Sequence, residues 1–490
     1  MSLVNDALKK ATLSSLAWKI FERGGSALVS LLVQIIMARL LTPEYFGALA
    51  IMLVLVNMGN IIVQSGLNTA LVQAPRIDDG DCSTVFWLSL GISLVLCAVV
   101  FVCAPLVVEF YSMPEIVWPF RALGLLLIVN SFNAVQVAIV QRALEFKKVF
   151  NATIVSVFVS GVLGVGCAVS GWGLWSLVVQ QLSCQFANCV VLALQVRWVP
   201  QFEFSFARAK ALFSFGWRLL VSGLLDQGYQ SLSDLVIGKQ FSASSLGLVS
   251  QGKKYPQTIG SLLDGAIQPV MLSAVSRVQS DVSYAKRIVR RALKTSTLLV
   301  VPSMALFALV AEPLVRLLLG ERWLPCVPFL QMYCFVYALL PIHTTNLQTL
   351  NGMGRSDLFL KLELVKKAYG VAILLFAAFV LGDVYAMVAG YMLSGVVSTF
   401  VNAWPSKRVL GYSYGEQLRD MAPAFALAAA SAAVAWPIGL LALPDAATVA
   451  LQAAVMAGAY MGLSKALKVE AMVYLLSTVK EMVSARRGAS

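Results

Sequence analysis

Residues 84–108 read TVFWLSLGISLVLCAVVFVCAPLVV, without one charged side chain. As a helix at about 1.5 Å per residue, such a run crosses a hydrocarbon core of about 30 Å. Lipid offers no hydrogen bonds, so each backbone N–H and C=O must be paired within the segment. That excludes irregular chain and open sheet. About fourteen segments of this kind begin near residues 14, 45, 84, 118, 150, 173, 211, 246, 295, 325, 358, 384, 421 and 446. Over 490 residues the chain is 59% hydrophobic and 12% charged, with a mean hydropathy of +0.81, which no ordinary soluble domain matches. The expected fold class is an all-α polytopic membrane protein with about fourteen transmembrane helices. The start, MSLVNDALKKATLSS, is polar and basic, and no small-residue cleavage site follows the first apolar run. That predicts a retained first helix and no signal peptide.

The net charge of +13 raises nucleic acid as a partner. The placement of the bases argues against it. With the N-terminus inside, alternate loops carry Lys9, Lys10, Arg76, Arg142, Lys147, Lys148, Arg277, Lys286, Arg287 and most of the others, while the outside loops hold only Arg39, Lys239 and Arg322. This is the positive-inside asymmetry. It predicts an even number of spans with both termini cytoplasmic. The bases face anionic membrane lipids, and no nucleic acid is expected. The eight cysteines form no CxxC pair and fall mostly in apolar segments, as small buried hydrophobes. The basic loop SRVQSDVSYAKRIVRRALK, 276–294, reads as a helix lying on the inner leaflet. From Ser464 the tail repeats the idea, with Leu467, Met472, Leu475, Leu476, Val479 and Val483 at helical spacing among lysines; an ordinary frayed tail is the alternative.

One internal repeat stands out. ARLLTPEYFG at 38–47 and GKQFSASSLG at 238–247 each place a small residue, a base, a turn and a closing Gly between two spans, and WK at 18–19 parallels WR at 217–218. If span seven repeats span one, six helices separate the copies. An even number makes the repeat parallel, with its axis along the membrane normal. The expected lobes are 1–200 (spans one to six) and 201–415 (spans seven to twelve). Residues 416–490 would form two extra spans and an amphipathic cytoplasmic tail.

Polar side chains concentrate where this repeat begins. Residues three and four apart share a helix face. Span one carries Lys19, Glu22, Arg23, Ser26, Ser30 and Gln34; span two carries Asn57, Asn60, Gln64 and Asn68. Span seven carries Arg218, Ser222, Asp226, Tyr229 and Ser233; span eight carries Ser250, Lys253, Lys254, Gln257, Ser261, Asp264 and Gln268. Spans four (Asn130, Asn133, Gln136) and six (Gln180, Gln181, Gln185, Asn188) are also polar on one side. A charge at bilayer depth costs about 3 kcal/mol or more, so such stripes face protein or water. Four of them in repeat-related positions predict a central aqueous cavity. Its deep bases are Lys19, Arg23, Arg218, Lys253 and Lys254, and its acids are Glu22, Asp226 and Asp264. The surplus of bases suits an anionic ligand, and arginine suits phosphate in particular. Lys19 is also placed to snorkel to the cytoplasmic surface, and Glu22 and Arg23 to pair with neighbours as structural glue. A kink is expected at Pro256.

Other features lead away from catalysis. His343, the lone histidine, lies in PIHTTN within span ten and reads as locally hydrogen-bonded rather than as a proton carrier. The DDGD run at 78–81 reads as the cap of span three rather than a metal site. No phosphate loop, nucleophile elbow or HExxH occurs.

Five stretches carry a family likeness: ARLLTPEYFGALA (38–50), QSGLNTALVQ (64–73), QRALEFKKV (141–149), AEPLVRLLLGERW (311–323) and GRSDLFLKLELVKK (354–367). On these the chain resembles the polysaccharide transporter family, the Wzx-type lipid-linked oligosaccharide flippases of the MOP superfamily. The resemblance implies two parallel six-helix bundles around a central cavity, plus two C-terminal helices, working by alternating access. It implies an undecaprenyl-diphosphate-linked oligosaccharide as cargo, moved from the cytoplasmic to the periplasmic leaflet. A polysaccharide polymerase and a chain-length regulator would be partners. It assigns cargo contacts to Arg23 and Arg218; Lys19, Lys253, Lys254, Asn57 and Gln64 complete the expected substrate-binding set. Glu22, Asp226 and Asp264 are expected to balance charge or couple to a proton or sodium gradient, with no bound cofactor or metal and no enzymatic step. Many members carry an acid where this chain has Gln64. The alternatives are a cation-coupled exporter of another solute in the same superfamily, or a membrane-embedded polysaccharide polymerase.

Overall fold

A computed structural model describes residues 29–64, 67–74 and 77–473. All regular elements among the described residues are helical. They divide into two compact units between Ser250 and Gln251.

The first unit contains α1 (Val29–Leu40), α2 (Pro43–Gln64), α3 (Leu67–Gln73), α4 (Asp79–Tyr111), α5 (Val117–Ala143), α6 (Phe146–Val169), α7 (Leu174–Val196), α8 (Phe206–Gln240) and the start of α9 (Ala243–Ser276). Its core joins Met52 and Val56 of α2, Phe120, Leu123 and Leu127 of α5, and Leu177 of α7. Lipid is as apolar as leucine, so helices pair by close contact of small residues rather than by hydrophobicity. On α6, Gly164 lies against Gln180 and the Ser176 carbonyl of α7, and Gly161 lies against Val33 of α1.

Local chemistry sets where α4 and α8 begin. Asp78 caps α4 in a reciprocal box with Asp81: the Asp81 N–H donates to Asp78 at 2.7 Å and the Asp78 N–H to Asp81 at 3.2 Å. The DDGD run is therefore the cap that its sequence suggests. The Asp81 backbone N–H, joined by the Arg208 guanidinium, holds the Asp78 carboxyl below its ordinary range. The connection to α8 is strapped to the same place. The Gln201 N–H donates to the Ser83 hydroxyl at 3.0 Å, Trp87 Nε1 donates to the Gln201 carbonyl at 2.7 Å, and Arg208 pairs with Asp78 at 2.5 Å. From this anchor α8 packs along α2, α3 and α4.

The repeat has a structural counterpart. A Cβ on Gly47 would run into the Ala243 carbonyl, and a Cβ on Gly247 would run into the Pro43 carbonyl. Pro43 and Ala243 open α2 and α9, so each turn seats its glycine on the first residue of the other helix. The contact is self-complementary, as a two-fold relation between repeats requires. Only glycine permits backbones this close.

The second unit holds the remainder of α9, α10 (Val282–Leu309), α11 (Ala311–Leu318), α12 (Val327–Ala338), α13 (Leu340–Gly352), α14 (Ser356–Phe376), α15 (Val384–Leu410), α16 (Tyr414–Ala435) and α17 (Asp445–Ala466). Val289 and Leu293 of α10, Ile342 of α13, Leu410 of α15 and Met421 of α16 form one core cluster. At the α15–α16 corner Gly411 takes a positive φ of 63°, and Ser413 then caps α16 in a box with Glu416.

Twelve helical segments are long and apolar enough to cross a membrane among the described residues, where the sequence predicts about fourteen. Two expected spans account for the difference. The described part of span one is the short helix Val29–Leu40. Span seven, α8, has the length, but Arg208, Lys210, Arg218, Asp226, Asp234 and Lys239 make it too polar. Within the basic stretch 276–294, residues 282–294 are helical as expected; Asp281 caps them and they continue without a break as α10 into span nine. Most of the expected tail helix lies outside the described residues.

Candidate functional site

Lys19, Glu22 and Arg23 lie outside the described residues, and so does the side chain of Arg218 on α8. The other predicted residues fall on three helices. Asn57 and Gln64 are exposed on α2, and Asp226 is exposed on α8. Lys253, Lys254 and Asp264 are half-buried on α9.

In the first unit the α2 stripe splits. Asn57 and Gln64 are seven residues apart and share a line along the helix, while Asn60 is turned to one side. Asn60 accepts from Asn130 Nδ2 of α5 at 2.6 Å, and Asn130 in turn accepts from Gln185 of α7. Asn60 is thus spent on helix packing, and Asn57 and Gln64 remain open. Nearby, Ile61 of α2 faces Gly223 of α8. On α8 Asp226 accepts from Gln230 Nε2 at 2.7 Å, one turn away.

In the second unit α9 is interrupted by Pro256 and Pro269. Proline lacks the N–H that would reach back four residues, so Pro256 releases the Gly252 carbonyl from the helix ladder. A Cβ on Gly252 would press on the Leu330 N–H and the Cys326 carbonyl, so α9 meets α12 almost backbone to backbone. Lys253 and Lys254 sit between these two features. Lys254 is about 16 Å along α9 from Ala243, and neither ammonium has an ion pair among the described residues. Asp264 is braced instead. It accepts from Gln268 Nε2 at 2.5 Å and from the Thr344 hydroxyl of α13. One helix therefore presents two uncompensated cations and one held carboxylate, which suits binding an anion and carries no nucleophile–base arrangement.

Two features were not read in the sequence. The bracing of Asp264 by Thr344 crosses 80 residues; PIHTTN marks α13 as polar without naming its partner. His343, next to it, faces Asn402 Nδ2 at 3.0 Å. The other feature is an ion cluster in the N-terminal part of α10, where the sequence shows only a run of bases. Arg290 binds Asp420 through two bonds of 2.6 and 2.8 Å, and Tyr412 donates to the same carboxylate at 2.7 Å.

Residues 36–328 match a family described as polysaccharide biosynthesis protein. The lipopolysaccharide biosynthesis protein WzxC of Escherichia coli is 22% identical over 89% of this chain and 89% of its own length. The succinoglycan biosynthesis transport protein ExoT of Rhizobium meliloti is 25% identical over 71% of this chain and 70% of its own. Among solved structures, the lipid II flippase MurJ in an inward closed conformation superposes with a TM-score of 0.69 at 13% identity, over 93% of this chain and 99% of that one. An inward-facing multidrug resistance transporter of the MATE family, in the MOP superfamily, gives a TM-score of 0.58 at 17% identity, over 78% and 94%. At these identities the structural likenesses establish the fold.

Proposed function

Because the chain belongs to the polysaccharide biosynthesis protein family, we propose that this multi-pass membrane protein is a flippase for a lipid-linked sugar precursor. The cargo is an oligosaccharide repeat unit on undecaprenyl diphosphate, carried from the cytoplasmic to the outer leaflet for a surface polysaccharide. The likeness to WzxC, a lipopolysaccharide biosynthesis protein, and to ExoT, a succinoglycan biosynthesis transport protein, supports a saccharide cargo. No covalent step is involved.

Lys254 carries the reading. An ammonium deep in an apolar span, without a counter-ion among the described residues, costs about 3 kcal/mol in lipid unless water or a ligand meets it. A diphosphate is such a ligand. Lys253 stands beside it, and Arg23, Arg218 and Lys19 are the further bases proposed to meet the cargo. Asn57 and Gln64 offer amides to its sugars. Glu22, Asp226 and Asp264 balance the bases and are the groups through which a proton or sodium gradient would act. Thr344 holds the Asp264 carboxylate in place.

The test locates the lipid-linked oligosaccharide in a strain lacking the protein. It is labelled from outside in spheroplasts, then again after the membrane is opened. The expected result is label only after opening. Wild-type protein restores outside labelling, while Lys254→Ala and Arg218→Ala, present at wild-type level, do not. Oligosaccharide reaching the outer face without the protein, but staying unpolymerised, would overturn transport as the function and favour a polymerase.

A further inference from the structure

A charged cavity lies within the second unit, away from the proposed cargo contacts and beside the Arg290–Asp420 cluster. It opens at the inner ends of α10, α16 and α17, the end that the basic loops assign to the cytoplasm. Two adjoining hollows of about 540 and 500 Å³ share Lys294, Glu470 and Ala471 as walls. Each lies within the size range of small-molecule sites, about 300–1,000 Å³. The rim is charged and the depth is apolar. Lys294, Arg419 and Lys468 stand at the mouth, while Leu298, Leu427 and Ala430 line the floor one to three turns further along their helices.

The acids of the rim already have partners. Asp420, whose side chain is 4% exposed, holds Arg290 at 2.6 Å. Glu470 holds Lys294 at 2.6 Å. Arg419 and Lys468 have no acidic partner among the described residues. The cavity therefore presents surplus positive charge at headgroup level above an apolar slot at acyl-chain level. Basic pockets between transmembrane helices on the cytoplasmic side are suited to anionic headgroups. A free phosphate would use the rim and leave the slot empty; a glycerophospholipid uses both.

We propose that the α10–α16–α17 cavity binds an anionic glycerophospholipid of the inner leaflet, its phosphate against Arg419 and Lys468 and one acyl chain along Leu298, Leu427 and Ala430. This site is independent of the cargo reading, since it shares no residue with the proposed cargo contacts.

The test is native mass spectrometry of the full-length protein in detergent, titrated with phosphatidylglycerol and, separately, phosphatidylcholine. Wild-type protein should retain phosphatidylglycerol over phosphatidylcholine. The double variant Arg419→Gln, Lys468→Gln should retain it about tenfold less or worse. Ala430→Trp, which fills the slot without changing charge, should also lose it. Lys210→Gln with Lys407→Gln, exposed bases elsewhere on the inner side, should bind as wild type. Monodisperse gel filtration of each variant confirms that it is folded. Equal retention of the two lipids, unchanged binding in the Arg419 and Lys468 double variant, or an equal loss in the Lys210 and Lys407 control would overturn the site. Full binding by Ala430→Trp, or displacement by millimolar inorganic phosphate, would overturn the lipid as its occupant.

Discussion

Gly47 and Gly247 show how one missing atom sets a helix contact. Each lies where a Cβ would strike the carbonyl that opens the other helix. Gly47→Ala should therefore destabilise by about 1–3 kcal/mol, the usual range for overpacking, and lower the thermal midpoint in detergent. Gly395→Ala, with open space around the position, should leave the midpoint unchanged or raise it, because alanine favours helix. Asp420 makes the same point for charge. Its side chain is 4% exposed and bonded to Arg290 and Tyr412, so Asp420→Ala strands the buried Tyr412 hydroxyl and takes the partner from a half-exposed Arg290, and should cost about 1–3 kcal/mol. Glu312, 61% exposed in its pair with Arg316, should cost under about 1 kcal/mol as Glu312→Ala. Equal midpoints for these two variants would remove the distinction. The sequence marks both acids as charged and says nothing of which is enclosed.

At the scale of elements, starts and stops were legible because capping is local. DDGD and the turns before Pro43 and Ala243 sit at observed helix ends. The capping box at α4 makes a pH-dependent prediction. Asp78 is held below its ordinary value by the Asp81 N–H and Arg208. The sign follows: its contribution is present above the ordinary carboxylate range and disappears as pH falls through the lowered value. Asp78→Ala should lower the thermal midpoint at neutral pH, and the gap to wild type should close in strong acid. A gap that persists there would assign the effect to something other than the ionised cap. What the elements did not reveal is continuity. The basic stretch before span nine reads as a surface helix; from Val282 onward it is the first turns of α10, because Asp281 caps it and the helix continues from there to Leu309, past Pro302.

Over the whole molecule the bases predict an orientation that single-cysteine labelling can check. A cysteine at Lys361 should react with an impermeant maleimide only after the inner face is exposed, and one at Arg322 should react from outside. The reverse pattern would invert the chain. The sequence by itself determined that the chain crosses a membrane as helices, which end of each span is basic, and that residues 38–47 return at 238–247. These follow from hydropathy, charge and repetition, which are properties of neighbours along the chain. Tertiary structure alone decided partners. It turned Asn60 to Asn130 while leaving Asn57 and Gln64 open, set Thr344 on Asp264, and gathered Arg290, Tyr412 and Asp420 into one cluster. A period of 3.6 residues tells which side chains share a face. Which helix that face meets depends on packing between segments far apart in sequence, where a missing Cβ or one extra hydrogen bond selects the neighbour.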